Sequence, residues 1–134
     1  EANNIQISGF APTKTLVLAD QDLVYQVIYN LVNNAINYTG DDKQIWVRQI
    51  VREDGYVRIE VTDSGEGIAP EALPYVWDRY YKVDKTHKRA VMGTGLGLSI
   101  VKNILELHDA RYGVESEVGK GSTFWFELKV YQIV

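Results

Sequence analysis

Four asparagines, Asn30, Asn33, Asn34 and Asn37, fall within eight consecutive positions of the chain. Val24, Val27, Ile28, Leu31 and Ala35 around them follow the i, i+3, i+4, i+7 spacing of a helix that buries one face. At 3.6 residues per turn the four amides share an arc of about 100° beside that apolar stripe. Asparagine is a poor helix former, and four of them forfeit roughly 2 kcal/mol relative to alanine. A function that answers this cost is available. The amide oxygens of Asn30 and Asn34, one turn apart, suit a hard cation such as Mg²⁺, which arrives carrying phosphates, while the NH₂ groups suit phosphate oxygens. The bland alternative is a solvated, asparagine-rich helix face.

Two glycine-spaced motifs add chemistry. Asp63-x-Gly65-x-Gly67 puts a carboxylate beside backbone with no side chains in the way. A carboxylate only accepts hydrogen bonds, so it selects a flat ring with an exocyclic amino group, such as adenine, over one with a carbonyl there. An ordinary turn with an Asx cap is the alternative. Gly93-x-Gly95-x-Gly97 lets backbone approach an anion at a helix N-terminus. It is neither the Walker pattern nor the dinucleotide fingerprint, because Gly-x₄-Gly-Lys-Ser/Thr is missing and a charged loop rather than a buried strand precedes it. A hinge is the alternative.

The elements that must position these groups are legible in outline. Ile5, Ile7 and then Leu16, Val17, Leu18 predict two short strands punctuated by Gly9 and Pro12. Asp20 is set to cap a helix from about Gln21 to Tyr38, with Gly40 just past its end. Ile45 to Val51 and Val57 to Val61 alternate on either side of Glu53-Asp54-Gly55, a hairpin signal. A short helical piece led by Pro70 and the aromatics Tyr75, Trp77, Tyr80 and Tyr81 follow. Lys82 to Met92 carries Lys82, Lys85, Lys88 and Arg89 against Asp84 and reads as a basic loop that moves when phosphates bind. Gly97 opens a helix whose face is Ile100, Val101, Ile104, Leu105 and His108, and strands around Tyr112–Ser116 and Thr123–Val130 close the chain. The fold class expected is α+β, a two-layer α/β sandwich: a mixed, mainly antiparallel sheet of about five strands with about three helices on one face.

Composition narrows the function classes. At 134 residues and 46% apolar, with nine tyrosines and three tryptophans, residues 1–134 make a single domain with a real core. A net charge of −4 argues against a general nucleic-acid binder, and the lack of cysteine excludes disulfides and thiolate metal sites. No apolar run reaches the length of a membrane span and no signal-peptide pattern opens the chain, so a cytoplasmic domain is expected, with a membrane anchor in the parent protein left open.

Taken in order, the motifs resemble the ATP-binding catalytic domain of sensor histidine kinases, within the wider family of gyrase, mismatch-repair and heat-shock chaperone ATPases. The likeness covers nearly the whole chain. On that resemblance Asn30-x-x-x-Asn34 with Tyr38 is the asparagine box and Asp63-Ser64-Gly65-Glu66-Gly67 the first glycine box. Trp77-Asp78-Arg79-Tyr80-Tyr81-Lys82 is the aromatic box, Gly93 to Leu98 the second glycine box, and Gly119 to Phe124 the closing strand. The resemblance implies ATP and Mg²⁺ as cofactors, with Asn30 and Asn34 as metal ligands and Asn30, Asn34, Arg79 and Lys82 as catalytic residues. The nucleotide contacts it implies are Asn34, Asn37, Tyr38, Asp63, Gly65, Gly67, Ile68, Tyr81, Lys82, Gly93, Thr94, Gly95, Leu96, Gly97, Leu98 and Thr123. Asn37 stands where the family usually has Lys or Arg, and Trp77 where it usually has Phe. The acceptor-histidine helices are missing; His87 and His108 lack the flanking pattern of an acceptor and read as surface or half-buried histidines. The implied activity is donation of the γ-phosphoryl group to a histidine on a separate acceptor/dimerisation domain, with a response regulator engaged indirectly and the isolated chain a monomer. A free-standing serine kinase of the anti-sigma type, whose relatives lack the aromatic box, and a nucleotide-binding regulatory module with degenerate catalysis are the alternatives.

Overall fold

The computed structural model describes residues 6–8, 17, 19–39, 44–78 and 97–130. The elements in chain order are β1 (Gln6–Ser8), α1 (Gln21–Tyr38), β2 (Gln44–Val51), β3 (Tyr56–Asp63), a 3₁₀ turn at Leu73–Tyr75, α2 (Gly97–Leu107), β4 (Arg111–Glu117) and β5 (Gly121–Lys129). The five strands form one sheet in the order β1-β2-β3-β5-β4, with β1 parallel to β2 and every other pair antiparallel. The α+β sandwich with a mainly antiparallel sheet therefore holds. The described residues contain two α-helices rather than three. The Pro70-led piece closes into turns and a single 3₁₀ turn with Pro74 in it, since proline has no N–H to give an α-helical bond. Of the strand expected at Leu16–Leu18, Val17 makes an isolated bridge to Val130.

Helix α1 starts where Asp20, in extended conformation, accepts the Leu23 N–H at 3.1 Å, a cap worth about 1 kcal/mol. It buries Val27, Leu31 and Ala35, four residues apart. It ends at Thr39, also extended, whose hydroxyl donates to the Gln44 carbonyl at 2.9 Å; the terminator expected at Gly40 lies outside the described residues. The turn between β2 and β3 is closed by Arg52 N–H to the Tyr56 carbonyl at 2.8 Å, with Gly55 at φ +86, a left-handed conformation that favours glycine.

Alternation sorts the sheet into two faces. Val57 and Val61 of β3 and Phe124, Phe126 and Leu128 of β5 join Val101, Ile104 and Leu105 of α2 and the α1 stripe in one core. Both helices thus cover the same face. They run antiparallel: at one end the Asp20 N–H donates to His108 Nε2 at 3.1 Å, and at the other Asn30 lies against Gly97. His108 is half-buried, with Nδ1 2.9 Å from the Ile104 carbonyl. The opposite face carries charge. There the buried Glu127 carboxylate meets Arg52, Arg58 and Arg111 at 3.5, 3.4 and 3.3 Å. The Arg111 hydrogen bond holds the Asp54 carboxyl below its ordinary value. Gly113 makes room for the Trp125 indole, over which the Arg58 guanidinium sits at 4.1 Å.

Candidate functional site

Asp63 ends β3 buried in the interior, and its Oδ1 accepts the Gly65 N–H at 2.9 Å. The Asx turn and the buried carboxylate are therefore one feature, since the turn engages a single oxygen and fixes the carboxylate plane. The glycines that follow are required by contact. A Cβ on Gly65 would strike the Tyr38 carbonyl, and one on Gly67, at φ +80, would strike the Glu117 carbonyl. This brings the last turn of α1 and the β4–β5 turn against the Asp63–Gly67 loop. Thr39 Oγ1 stands 3.2 Å from Ser64 Oγ on the same seam. Ile68 buries its side chain in the core and sends its N–H to Ser116 Oγ at 2.7 Å.

On β5 the sheet separates Thr123 from Asp63. Thr123 is paired with Thr62, their hydroxyls 2.8 Å apart, on the face of the sheet away from the helices. The residue paired with Asp63 on the helix side is Ser122, also buried. A side-chain period of two dictates this. Phe124, Phe126 and Leu128 mark the inner face, and counting back by two from Phe124 reaches Ser122, so the face of Ser122 is legible in the sequence.

The asparagine strip divides. Asn30 and Asn34 are half-buried, whereas Asn33 and Asn37 are exposed. Asn34 Nδ2 is a buried donor without a hydrogen-bond partner among the described residues, a state that costs about 1–3 kcal/mol. A Cβ built at Gly97, the first residue of α2, would lie 3.9 Å from Asn30 Oδ1, so the Asn30 amide adjoins the start of the helix that the second glycine motif opens. Leu98 packs on the core. Trp77 is held edge-on by Tyr112 at 5.1 Å and Phe124 at 5.5 Å, so the larger aromatic packs against side chains of both β4 and β5. Arg79, Tyr81, Lys82, Gly93, Thr94, Gly95 and Leu96, with His87, lie outside the described residues.

These elements present an acceptor-only carboxylate with a serine beside it and, along α1, a half-buried pair of amides of which Asn30 adjoins a helix N-terminus. No cluster of three His, Cys, Asp or Glu side chains suited to a metal occurs among the described residues, so a cation here would rely on amide oxygens and on oxygens of its own ligand. A hard cation carried by phosphates fits that donor set, and the unanswered Asn34 donor fits a phosphate oxygen.

The sequence profile of the histidine kinase-, DNA gyrase B- and HSP90-like ATPases matches residues 19–132. The chain belongs to that family. Among its relatives in the family are the sensor-like histidine kinase SenX3 of Mycolicibacterium smegmatis, 40% identical over 129 residues, covering 96% of this chain and 33% of the relative. The sensor protein SrrB of Staphylococcus aureus is 46% identical over 111 residues, covering 81% of this chain and 18% of the relative. Full-length ShkA, solved in complex with AMPPNP, superposes with a TM-score of 0.82 at 28% identity, covering 99% of this chain and 27% of that one. The ATPase domain described here thus spans a third or less of these relatives, and they place it with the catalytic domains of sensor histidine kinases. None of its described helices is long and apolar enough to cross a membrane.

Proposed function

We propose that residues 1–134 form one catalytic domain that binds Mg-ATP and donates the γ-phosphoryl group to a histidine on a separate acceptor/dimerisation domain, in two-component signal transduction on the cytoplasmic side of the cell. The observation that carries the reading is Asn34: a buried amide donor that no described residue answers, one helical turn from Asn30, whose Oδ1 adjoins the start of α2. A bound triphosphate would answer it.

The parts divide the work. Asp63 takes the adenine amino group, and the glycines at 65 and 67 leave room for the ring. The amides of Asn30 and Asn34 hold Mg²⁺, which when bound offsets phosphate charge. The N–H groups around Gly95 and Gly97 hold the phosphate chain, and Arg79 and Lys82 engage its outer end. Phosphoryl transfer needs chiefly positioning and electrostatics, and these groups supply both. An asparagine amide cannot take a proton from water at neutral pH, so Asn30 favours holding ATP for transfer over hydrolysing it.

Calorimetric titration tests the base contact. ATP should bind roughly ten- to a hundredfold more tightly than GTP, whose carbonyl would face the Asp63 carboxylate and leave two acceptors opposed. Equal affinities, or undiminished ATP binding by Asp63→Asn, would remove Asp63 from this role.

A further inference from the structure

We propose that Ser116 is a positioning residue for purine recognition, its hydroxyl setting the spacing between Ser122 on β5 and the Asp63–Ile68 loop and so how strictly the site demands an exocyclic amino group. The proposal rests on the nucleotide reading above. A serine hydroxyl has one proton to give and two lone pairs. Ser116 donates its proton to the Gly121 carbonyl at 2.8 Å and accepts the Ile68 N–H at 2.7 Å. Its remaining lone pair faces Ser122 Oγ at 2.8 Å. One hydroxyl at the end of β4 therefore joins the loop that carries the carboxylate to the strand that carries the serine opposite it.

The surroundings leave this tie little slack. A Cβ at Gly121 would strike the Asp63 carbonyl, just as one at Gly67 would strike that of Glu117, so the loop, the end of β4 and the start of β5 meet backbone on backbone. The β4–β5 turn is already held without Ser116, by Lys120 N–H to the Glu117 carbonyl at 2.9 Å and Gly119 N–H to the Glu66 carbonyl at 2.7 Å. What Ser116 adds is the contact to Ser122, the residue paired with Asp63. A group that merely braced the turn would affect every nucleotide alike. One that spaces Asp63 from Ser122 affects the preference between bases.

The test compares ATP with purine riboside triphosphate, which lacks the amino group, by titration against wild type, Ser116→Ala and Ser116→Thr, with a thermal melt of each. Wild type should prefer ATP by about tenfold or more, Ser116→Ala should lose most of that ratio, and Ser116→Thr, which keeps the hydroxyl, should retain it. An unchanged ratio in Ser116→Ala, or equal weakening of both ligands, would overturn the proposal. Wild type that binds ATP without preferring it would overturn the Asp63 role as well, and wild type that binds neither would overturn the nucleotide reading itself. Should Ser116→Ala fail to fold, amide exchange in wild type decides: Ile68 protected like the β4–β5 ladder supports the tie, and exchange at the rate of a free loop overturns it.

Discussion

Replacing Asn34 by alanine removes a buried donor that no described residue answers and puts the best helix former in its place. The variant should therefore be more stable than wild type, by about 1 kcal/mol in urea unfolding, while losing Mg-dependent nucleotide binding in titration. Loss of both stability and binding would mean that the amide is structural. At this scale the sequence went far. Asp63 stands out by its Asp-x-Gly-x-Gly spacing and the asparagines by being poor helix formers inside a helix, and both signals are visible without coordinates, whereas the burial of Asp63 is not. Ser122 and Ser116 were harder. Serine at a strand end is common, and although the period of two gives the face of Ser122, the partners of neither serine can be read until the register of β5 against β3 and β4 is known.

Helix α2 and strand β4 are fastened where the Tyr112 hydroxyl donates to Glu106 at 2.8 Å. Burial, and then the adjacent carboxylate, push the Tyr112 pKa up from 10.0 to about 12. The folded value lies above the unfolded one, so this contribution is complete below pH 10.0 and is lost as pH rises toward 12. Unfolding free energies measured at about pH 9 and about pH 11 should fall between the two for wild type and fall less for Tyr112→Phe. Parallel slopes would deny the tyrosine this role. Elements whose signals are local were the legible ones: the α1 stripe with its Asp20 cap, and the hairpin turning at Gly55. Strand order was not, since a period of two tells which side of a strand is buried but not which strand lies beside it. The stretch after Pro70 misled for a related reason. Ile68, Ala72 and Val76 are spaced as on a helix and all are buried, yet they line the core from turns.

On the function proposed above, the domain grips a nucleotide and takes its acceptor from a separate domain, and its relatives SenX3 and SrrB extend well beyond the matched region. Incubated alone with radiolabelled ATP, the chain should neither label itself nor release phosphate briskly. Mixed with an acceptor-helix domain it should transfer slowly, because the two parts lack the effective concentration of a shared chain. Label on the isolated chain, or rapid phosphate release without acceptor, would move the reading to a serine kinase or an ATPase. The sheet face away from this chemistry is faced with arginine and carboxylate pairs, which leaves the helix side to carry function. On that side the antiparallel helices have a mechanical character. Joined where the Asp20 N–H meets His108 and gripping where Asn30 meets Gly97, they form a pair of tongs with its pivot about 15 Å from its jaws. A ligand held at the jaws would load the pivot, so on the proposed reading the Asp20 amide should exchange more slowly when ATP is bound, and an unchanged rate would deny the coupling.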